Sequence, residues 1–489
     1  MITFFKRTLC MACILLGMTA HATVKLPSFF ADNMVLQQQT DVRIWGTADP
    51  GEKIIVLTPW DKRSYSVTAR KDGYFEVTIK TPQAGGPYNI LFRSQGRTVG
   101  LRNVLFGEVW ICSGQSNMEM QMKGFKAQPV EGATEELMQC QDAQLRLYYA
   151  KRRVSLTPVD DLMGTWRAAD AASVRDFSAA AYFFGKALRK ALGVPVGLIC
   201  TAYGGAACEA WMKADWLKAF PKVTRELNEA NLNKYKQRCP VSLYNGQLAP
   251  IIGYAIRGAI WYQGEDNVDR SDFYAPLFAR MVEGWREEWK QGDFPFYYCQ
   301  IAPYDYSIIG WQQYNSAFLR EQQLKAEAII PNSRMAVLMD TGLEKGIHPR
   351  KKRQAGERMA LLALSNTYGM KGLPDFAVYK DVTFQGDTAI VSFDRSKEWV
   401  YFENGTSQNF EVAGADRVFH PAEAWVSRNH VYVKSAAVKH PVAVRYAFKD
   451  WAVGDLMHDG LPVSSFRTDD WESLPLTPSK GKGDYNEPR

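Results

Sequence analysis

The chain of 489 residues predicts an α/β fold: a doubly wound parallel sheet with helices on both faces, flanked by N-terminal and C-terminal β-sandwich-like domains. Three observations carry this. Between residues 104 and 370, apolar runs of strand length alternate with helix-period stretches, the mark of an α/β layer structure. Residues 23–103 read as short alternating strands separated by Asp-Pro-Gly, Asp-Gly and Gly-Gly-Pro turns. The strand pattern returns over 371–489.

The first 22 residues have a basic start (Lys6, Arg7), an apolar run from Leu9 to Met18 and the small-x-small sequence Ala20-His21-Ala22. This is the pattern of a cleavable secretory signal, and its apolar run is too short to span a membrane. The mature protein is therefore expected to be secreted or periplasmic. Strands are then expected at Val42–Trp45, Lys53–Leu57, Tyr74–Thr81 and Tyr88–Arg93. In the central region, strands are expected at 104–112, 194–201, 255–262, 296–302 and 335–339, with helices at 177–192, 273–289 and 315–329. The helix at 177–192 stops at Gly193 with Lys and Arg in its final turns, as a helix C-terminus prefers. Strands at Thr388–Phe393, His430–Lys434 and Val442–Phe448 belong to the last domain, and a polar tail follows Leu476.

Composition excludes several classes. Hydrophobic residues make up 46% and charged residues 23%, so the chain has no disorder signature. The net charge of +7 is spread without a basic block or an aromatic-interleaved basic patch, which argues against nucleic acid as a partner. Six cysteines remain after signal removal. Cys112, Cys200 and Cys299 lie in apolar runs and read as core residues, whereas Cys208 and Cys239 are candidates for a disulfide. No CxxC pair or His-Cys cluster occurs in the mature chain, so no metal site is expected.

Chemistry is sought at the carboxyl ends of the strands, where α/β sheets bind ligands. The first central strand ends in Ser113-Gly-Gln-Ser116. A nucleophilic serine needs a base, nearly always histidine, and the mature chain has only five: His348, His420, His430, His440 and His458. His348 alone falls in the α/β layer, after strand 335–339 and just before Pro349, which suits the first position of the helix that follows. By position alone, His348 reads equally as a surface or capping residue and Ser116 as a turn or N-cap serine. The short histidine inventory favours the pair. Ser113, nearer the strand, is expected to bond local backbone. Acyl transfer also needs donors to the developing oxyanion, each worth about 3 kcal/mol. Tyr203-Gly-Gly205 offers backbone N–H groups, and Gln263 in Trp261-Tyr-Gln-Gly-Glu265 offers a side-chain amide.

These residues resemble the sialate O-acetylesterase family within the SGNH (GDSL-type) hydrolases. The resemblance rests on an ordered set: Phe30-Ala-Asp-Asn-Met-Val-Leu-Gln37, Ile44-Trp-Gly46, Gly107-Glu-Val-Trp-Ile-Cys-Ser-Gly-Gln-Ser-Asn-Met118, Gly204-Gly205 with Glu209-Ala-Trp211, Trp261-Tyr-Gln-Gly-Glu265, Ile347-His-Pro349 and Phe466-Arg-Thr-Asp469. It implies a serine esterase that removes O-acetyl groups from carbohydrates without a cofactor, with Ser116 as nucleophile, His348 as general base and Gly205 or Gly204 as a backbone donor. Gln263 stands where the superfamily has an asparagine, so its amide is the implied second donor. The triad acid departs from the superfamily pattern. Three residues before the histidine stands Lys345 and two before it Gly346. The resemblance favours Asp340 instead, with Glu344, Glu265 or a backbone carbonyl as alternatives.

Acetylated sialic acid is the implied substrate, with acetylated xyloglucan, xylan or pectic sugars as alternatives. A reading of another class is a carbohydrate-binding protein without turnover, built on the β-domains and the chain's 14 tryptophans.

Overall fold

The computed structural model describes residues 24–311, 315–396 and 399–471. The expected signal at 1–22 and the tail after Leu476 lie outside the described residues. At the centre is a sheet of strands β1 (Arg97–Gly114), β2 (Asp142–Tyr149), β3 (Trp166–Ala169), β4 (Val196–Cys200), β5 (Gly258–Tyr262), β6 (Phe296–Cys299) and β7 (Ser333–Ala336). Their order is β7-β6-β5-β1-β4-β2-β3. All neighbours are parallel except β2 and β3, which pair antiparallel at one edge.

β1 explains much of the architecture. Along Arg97–Asn103 its residues are mostly exposed or half-buried, whereas every residue from Val104 to Gly114 is buried. The change matches its partners. The first part pairs antiparallel with Gly85–Ser94, and the last part lies between β4 and β5 at the centre of the sheet. The strand runs unbroken through position 104, where the sequence suggests a domain boundary.

The helices that follow the strands include α1 (Ser116–Glu119), α2 (Ala179–Leu192), α3 (Tyr274–Trp289), α4 (Ala317–Ile329) and α5 (Lys352–Asn366). α2 starts where the Ser178 hydroxyl accepts from the Ala181 N–H and stops where Gly193 adopts a left-handed conformation. It packs against α5 so closely that a side chain at Gly356 would meet the Ala180 carbonyl at 2.4 Å. Gly258 pairs with Trp110 in the sheet, so Trp261, three residues on, faces the opposite side. Trp110 packs on Phe184 of α2, and Trp261 on Phe278 and Trp285 of α3, which places helices on both faces.

The five expected central strands and three helices are present, some ends coinciding and the others shifted by up to seven residues. β2 and β3 are additional. α5 begins at Lys352 rather than at Pro349, so the proline lies in the approach to the helix.

The C-terminal region consists of antiparallel strands between Val378 and Arg467, including a sheet of Val378–Gln385, Thr388–Asp394, His430–Lys434 and Glu423–Ser427. It is fastened to the central layer by buried polar bonds: Gln300 Nε2 donates to Ser464 Oγ at 2.7 Å and Arg320 Nε to Ser465 Oγ at 3.1 Å. All six cysteines among the described residues are buried and free, which corrects the expected Cys208–Cys239 bridge. Cys208 Sγ instead lies 3.7 Å from Met281 Sδ, and Cys239 Sγ 3.8 Å from the Glu226 carbonyl.

Candidate active site

β1 ends against β5 so tightly that a Cβ at Gly114 would lie 2.2 Å from the Tyr262 carbonyl, and its φ of +139° is one that side chains disfavour. Only glycine fits there. The chain then turns into α1, and Ser116 is the one residue from Val104 to Met120 that is not buried. Ser113 is fully buried and its hydroxyl finds no hydrogen-bond partner among the described residues, contrary to the expected backbone bond.

The residues around Ser116 tie the strand ends together. Gln115 Oε1 accepts from the backbone N–H groups of Gly264 (3.1 Å) and Asp266 (3.3 Å) after β5. Asn117 Nδ2 donates to Glu265 and, at 3.1 Å, to the carbonyl of Ile347, the residue before His348, while its Oδ1 accepts from the buried Lys352 ammonium. Glu119 Oε2 accepts the Gly204 N–H at 2.8 Å, and its other oxygen pairs with Arg152.

A cavity of about 230 Å³ opens here, lined by Gln115, Ser116, Gly205, Arg238, Glu265, Asp266, Tyr306, Ile309, Ile347 and His348. Larger hollows of about 670 and 440 Å³ occur elsewhere, but neither is lined by a serine or a histidine. Three of the expected site residues, Ser116, Gly205 and His348, thus share one cavity. Gly204's N–H is taken by Glu119, whereas that of Gly205 has no acceptor among the described residues, and its φ of +70° suits a residue without a side chain.

His348 is oriented by a residue the sequence did not single out. Its Nδ1 lies 2.6 Å from Gln128 Oε1, and its ring meets Phe125 edge-on at 5.0 Å. An amide oxygen only accepts, so Nδ1 carries the proton and Nε2 is left as the acceptor, the tautomer a general base needs. Burial, reinforced by the nearby Lys352 charge, lowers the His348 pKa to about 4. Gln128 sits in an irregular loop and belongs to no motif, so no sequence signal marks it.

Two expected roles are corrected. Asp340 does not reach His348, because both its oxygens accept from Arg358 at 2.6 Å in a bidentate ion pair. Gln263 is fully buried and does not line the cavity. Its Nε2 donates to the Ala206 carbonyl (3.1 Å) and Asn267 Oδ1 (2.7 Å), and its Oε1 accepts from Tyr274 (2.9 Å), so its amide is committed within the protein. Of the alternative acids, Glu344 is exposed, and neither it nor Glu265 bonds the imidazole, whose partner is Gln128. Glu265 lines the cavity with Oε1 on Asn117, and burial raises its carboxyl above the ordinary range. Among the described residues no cluster of His, Cys, Asp or Glu is arranged to hold a metal ion.

Residues 106–365, just over half of the chain, match the family of carbohydrate esterases described as sialic acid-specific acetylesterase. The chain belongs to this family. The esterase is 35% identical to a carbohydrate acetylesterase from Xanthomonas citri, whose structure superposes with a TM-score of 0.84 over 92% of this chain and 100% of that one. It is 26% identical to the sialate O-acetylesterase of Mus musculus, with 87% of this chain and 90% of that one covered. To the Homo sapiens sialate O-acetylesterase it is 28% identical, over 71% and 72% respectively. The resemblance of the motifs to the sialate O-acetylesterase family is confirmed, the protein is a carboxylic ester hydrolase, and the reading of a sugar-binding protein without turnover is set aside.

Proposed function

We propose that this esterase hydrolyses O-acetyl groups of sialic acid through a Ser116–His348 pair on an SGNH-type sheet, releasing acetate and a free sugar hydroxyl. The observation that carries it is the shared cavity: the one unburied residue at the end of the central strand faces the same space as a histidine whose Nε2 is free to accept. His348 Nε2 takes the Ser116 proton as Oγ attacks the acetyl carbonyl. The resulting oxyanion is held by the N–H groups of Gly205 and Ser116. Collapse expels the sugar alkoxide, which receives that proton from His348, and leaves an acetyl ester on Ser116. Water, deprotonated by the same imidazole, then attacks the ester, acetate leaves, and the proton returns to Ser116 Oγ.

The test is acetate release by Ser116→Ala and His348→Ala variants, with each expected to lose at least about 10³-fold in kcat. Near wild-type turnover by Ser116→Ala would remove the assignment. The relative from Xanthomonas citri carries the broader description of carbohydrate acetylesterase, so the second reading is another acetylated carbohydrate, with xyloglucan and xylan as the ones to assay. Assay of acetylated sialic acid beside those glycans separates the two. The basic and apolar N-terminal residues support export to the periplasm or medium, and N-terminal sequencing of exported protein should begin at Thr23.

A further inference from the structure

With the Gln263 amide committed to Ala206 and Asn267, the oxyanion is left with backbone donors alone. Beside the Tyr306 hydroxyl, which finds no partner among the described residues, the cavity lining contains one arginine. Arg238 is held rigidly: its Nε donates to Asp266 Oδ1 at 2.8 Å, and its own carbonyl accepts from Arg225 at 3.1 Å. Asp266 is in turn anchored through its backbone N–H to Gln115, the neighbour of Ser116. The Arg238 side chain is 13% exposed, yet neither Nη finds an acceptor among the described residues. Its Nη edge adjoins Gly205, since a Cβ there would lie 3.8 Å from Arg238 Nη2. The guanidinium and Gly205 therefore share one wall of the cavity that contains Ser116 and His348.

We propose that Arg238 is a catalytic residue whose Nη edge donates to the tetrahedral oxyanion, in the role that sequence reasoning assigned to Gln263. A charged donor whose own side chain is mostly buried suits this role better than a neutral amide. Preorganisation by Asp266 spares the reorganisation that a free arginine would require. Asp266 also offsets the positive charge, so the imidazolium that forms on His348 in the same step is not opposed by an unpaired cation.

The inference rests on Ser116 being the nucleophile. Arg238→Gln is expected to lower kcat by about 10²–10³-fold with little change in KM, and by a similar factor for acetylated sialic acid and for an uncharged aryl acetate. Arg238→Lys, which keeps the charge and a partner for Asp266, should lose about tenfold; it carries the test if thermal unfolding shows that Arg238→Gln has lost its fold. A boronic acid, which forms an anionic tetrahedral adduct on the serine, should inhibit each variant more weakly in proportion to its loss of kcat. A merely structural role would lower the unfolding temperature without that proportionality.

The proposal is overturned if both substrates are cleaved at wild-type rates. It is also overturned if the loss lies in KM and only for the carboxylate-bearing sugar, which would make Arg238 a substrate clamp. An inert Ser116→Ala beside a fully active Arg238→Gln removes this inference alone. An active Ser116→Ala removes the nucleophile assignment and this inference with it.

Discussion

His348 Nδ1 and Gln128 Oε1 lie 2.6 Å apart although 220 residues separate them in the chain. The imidazole is thus steered by a neutral amide, where a carboxylate would be expected to stand. An amide fixes tautomer and ring orientation but adds little stabilisation to the imidazolium.

Removing that steering has a defined outcome. Gln128→Ala should lower kcat/KM for an aryl acetate by about 10–100-fold, because the ring loses its orientation but keeps its chemistry. Gln128→Glu should retain orientation and place a negative charge beside the ring. That charge favours the protonated imidazole, so the acid limb of the pH–rate profile should move to higher pH. Coincident profiles for wild type and Gln128→Glu would show that Gln128 does not govern the base.

The free enzyme should tolerate acid unusually well for a histidine-dependent esterase. The base must be neutral to accept the Ser116 proton, and its pKa is lowered from 6.5 to about 4 by burial and by Lys352. As pH falls from 8 to about 5 the imidazole stays neutral, so kcat/KM should stay level and then halve near pH 4. A limb centred between pH 6 and 7 would contradict the burial argument.

Asp340 should matter for stability and little for turnover. Its bidentate pair with Arg358, whose side chain is 9% exposed, leaves an uncompensated buried guanidinium when the carboxylate is removed. Asp340→Ala should lose about 2–3 kcal/mol in denaturant unfolding, less than a fully buried pair because Asp340 is partly exposed. Its kcat in the folded state should stay within about threefold of wild type. A 10³-fold loss of kcat at unchanged stability would return Asp340 to the catalytic machinery.

Gln263→Leu should act in the same direction. The Ala206 carbonyl, Asn267 Oδ1 and the Tyr274 hydroxyl would each lose a partner inside the core, a loss of about 2–4 kcal/mol that a shifted unfolding midpoint would report. If Gln263 were an oxyanion donor, kcat would instead fall by about 10²–10³-fold.

These cases show what was legible in the sequence. Buried strands declared themselves as unbroken apolar runs, and Ser116 and His348, which the fold brings to one cavity, were paired because so few histidines compete. β2 escaped notice because Arg146 interrupts its apolar pattern, and β3 because four residues are too few to show a period. Asp340 and Gln263 were misassigned for one physical reason. A carboxylate or an amide at a strand end serves a protein neighbour as readily as a substrate, and the neighbours Arg358 and Ala206 become visible only once the chain is folded. Gln128 and Arg238 were missed because one reaches the site from a loop and the other from the three-residue 3-10 turn Lys236–Arg238, both too short for a spacing rule to apply.

The long strand Arg97–Gly114 also limits how this enzyme can be dissected. The rod that holds the Ser116 turn, where the nucleophile is proposed, is at its other end paired with the N-terminal strand Gly85–Ser94. Trimming the chain at residue 104 would strip Gly85–Ser94 of its hydrogen-bonded partner and leave the catalytic strand without its anchor. Grafting a different N-terminal layer would reset the angle at which Ser116 is presented. The accessory region and the catalytic layer are therefore expected to melt together, to be inherited together, and to resist being exchanged as separate parts.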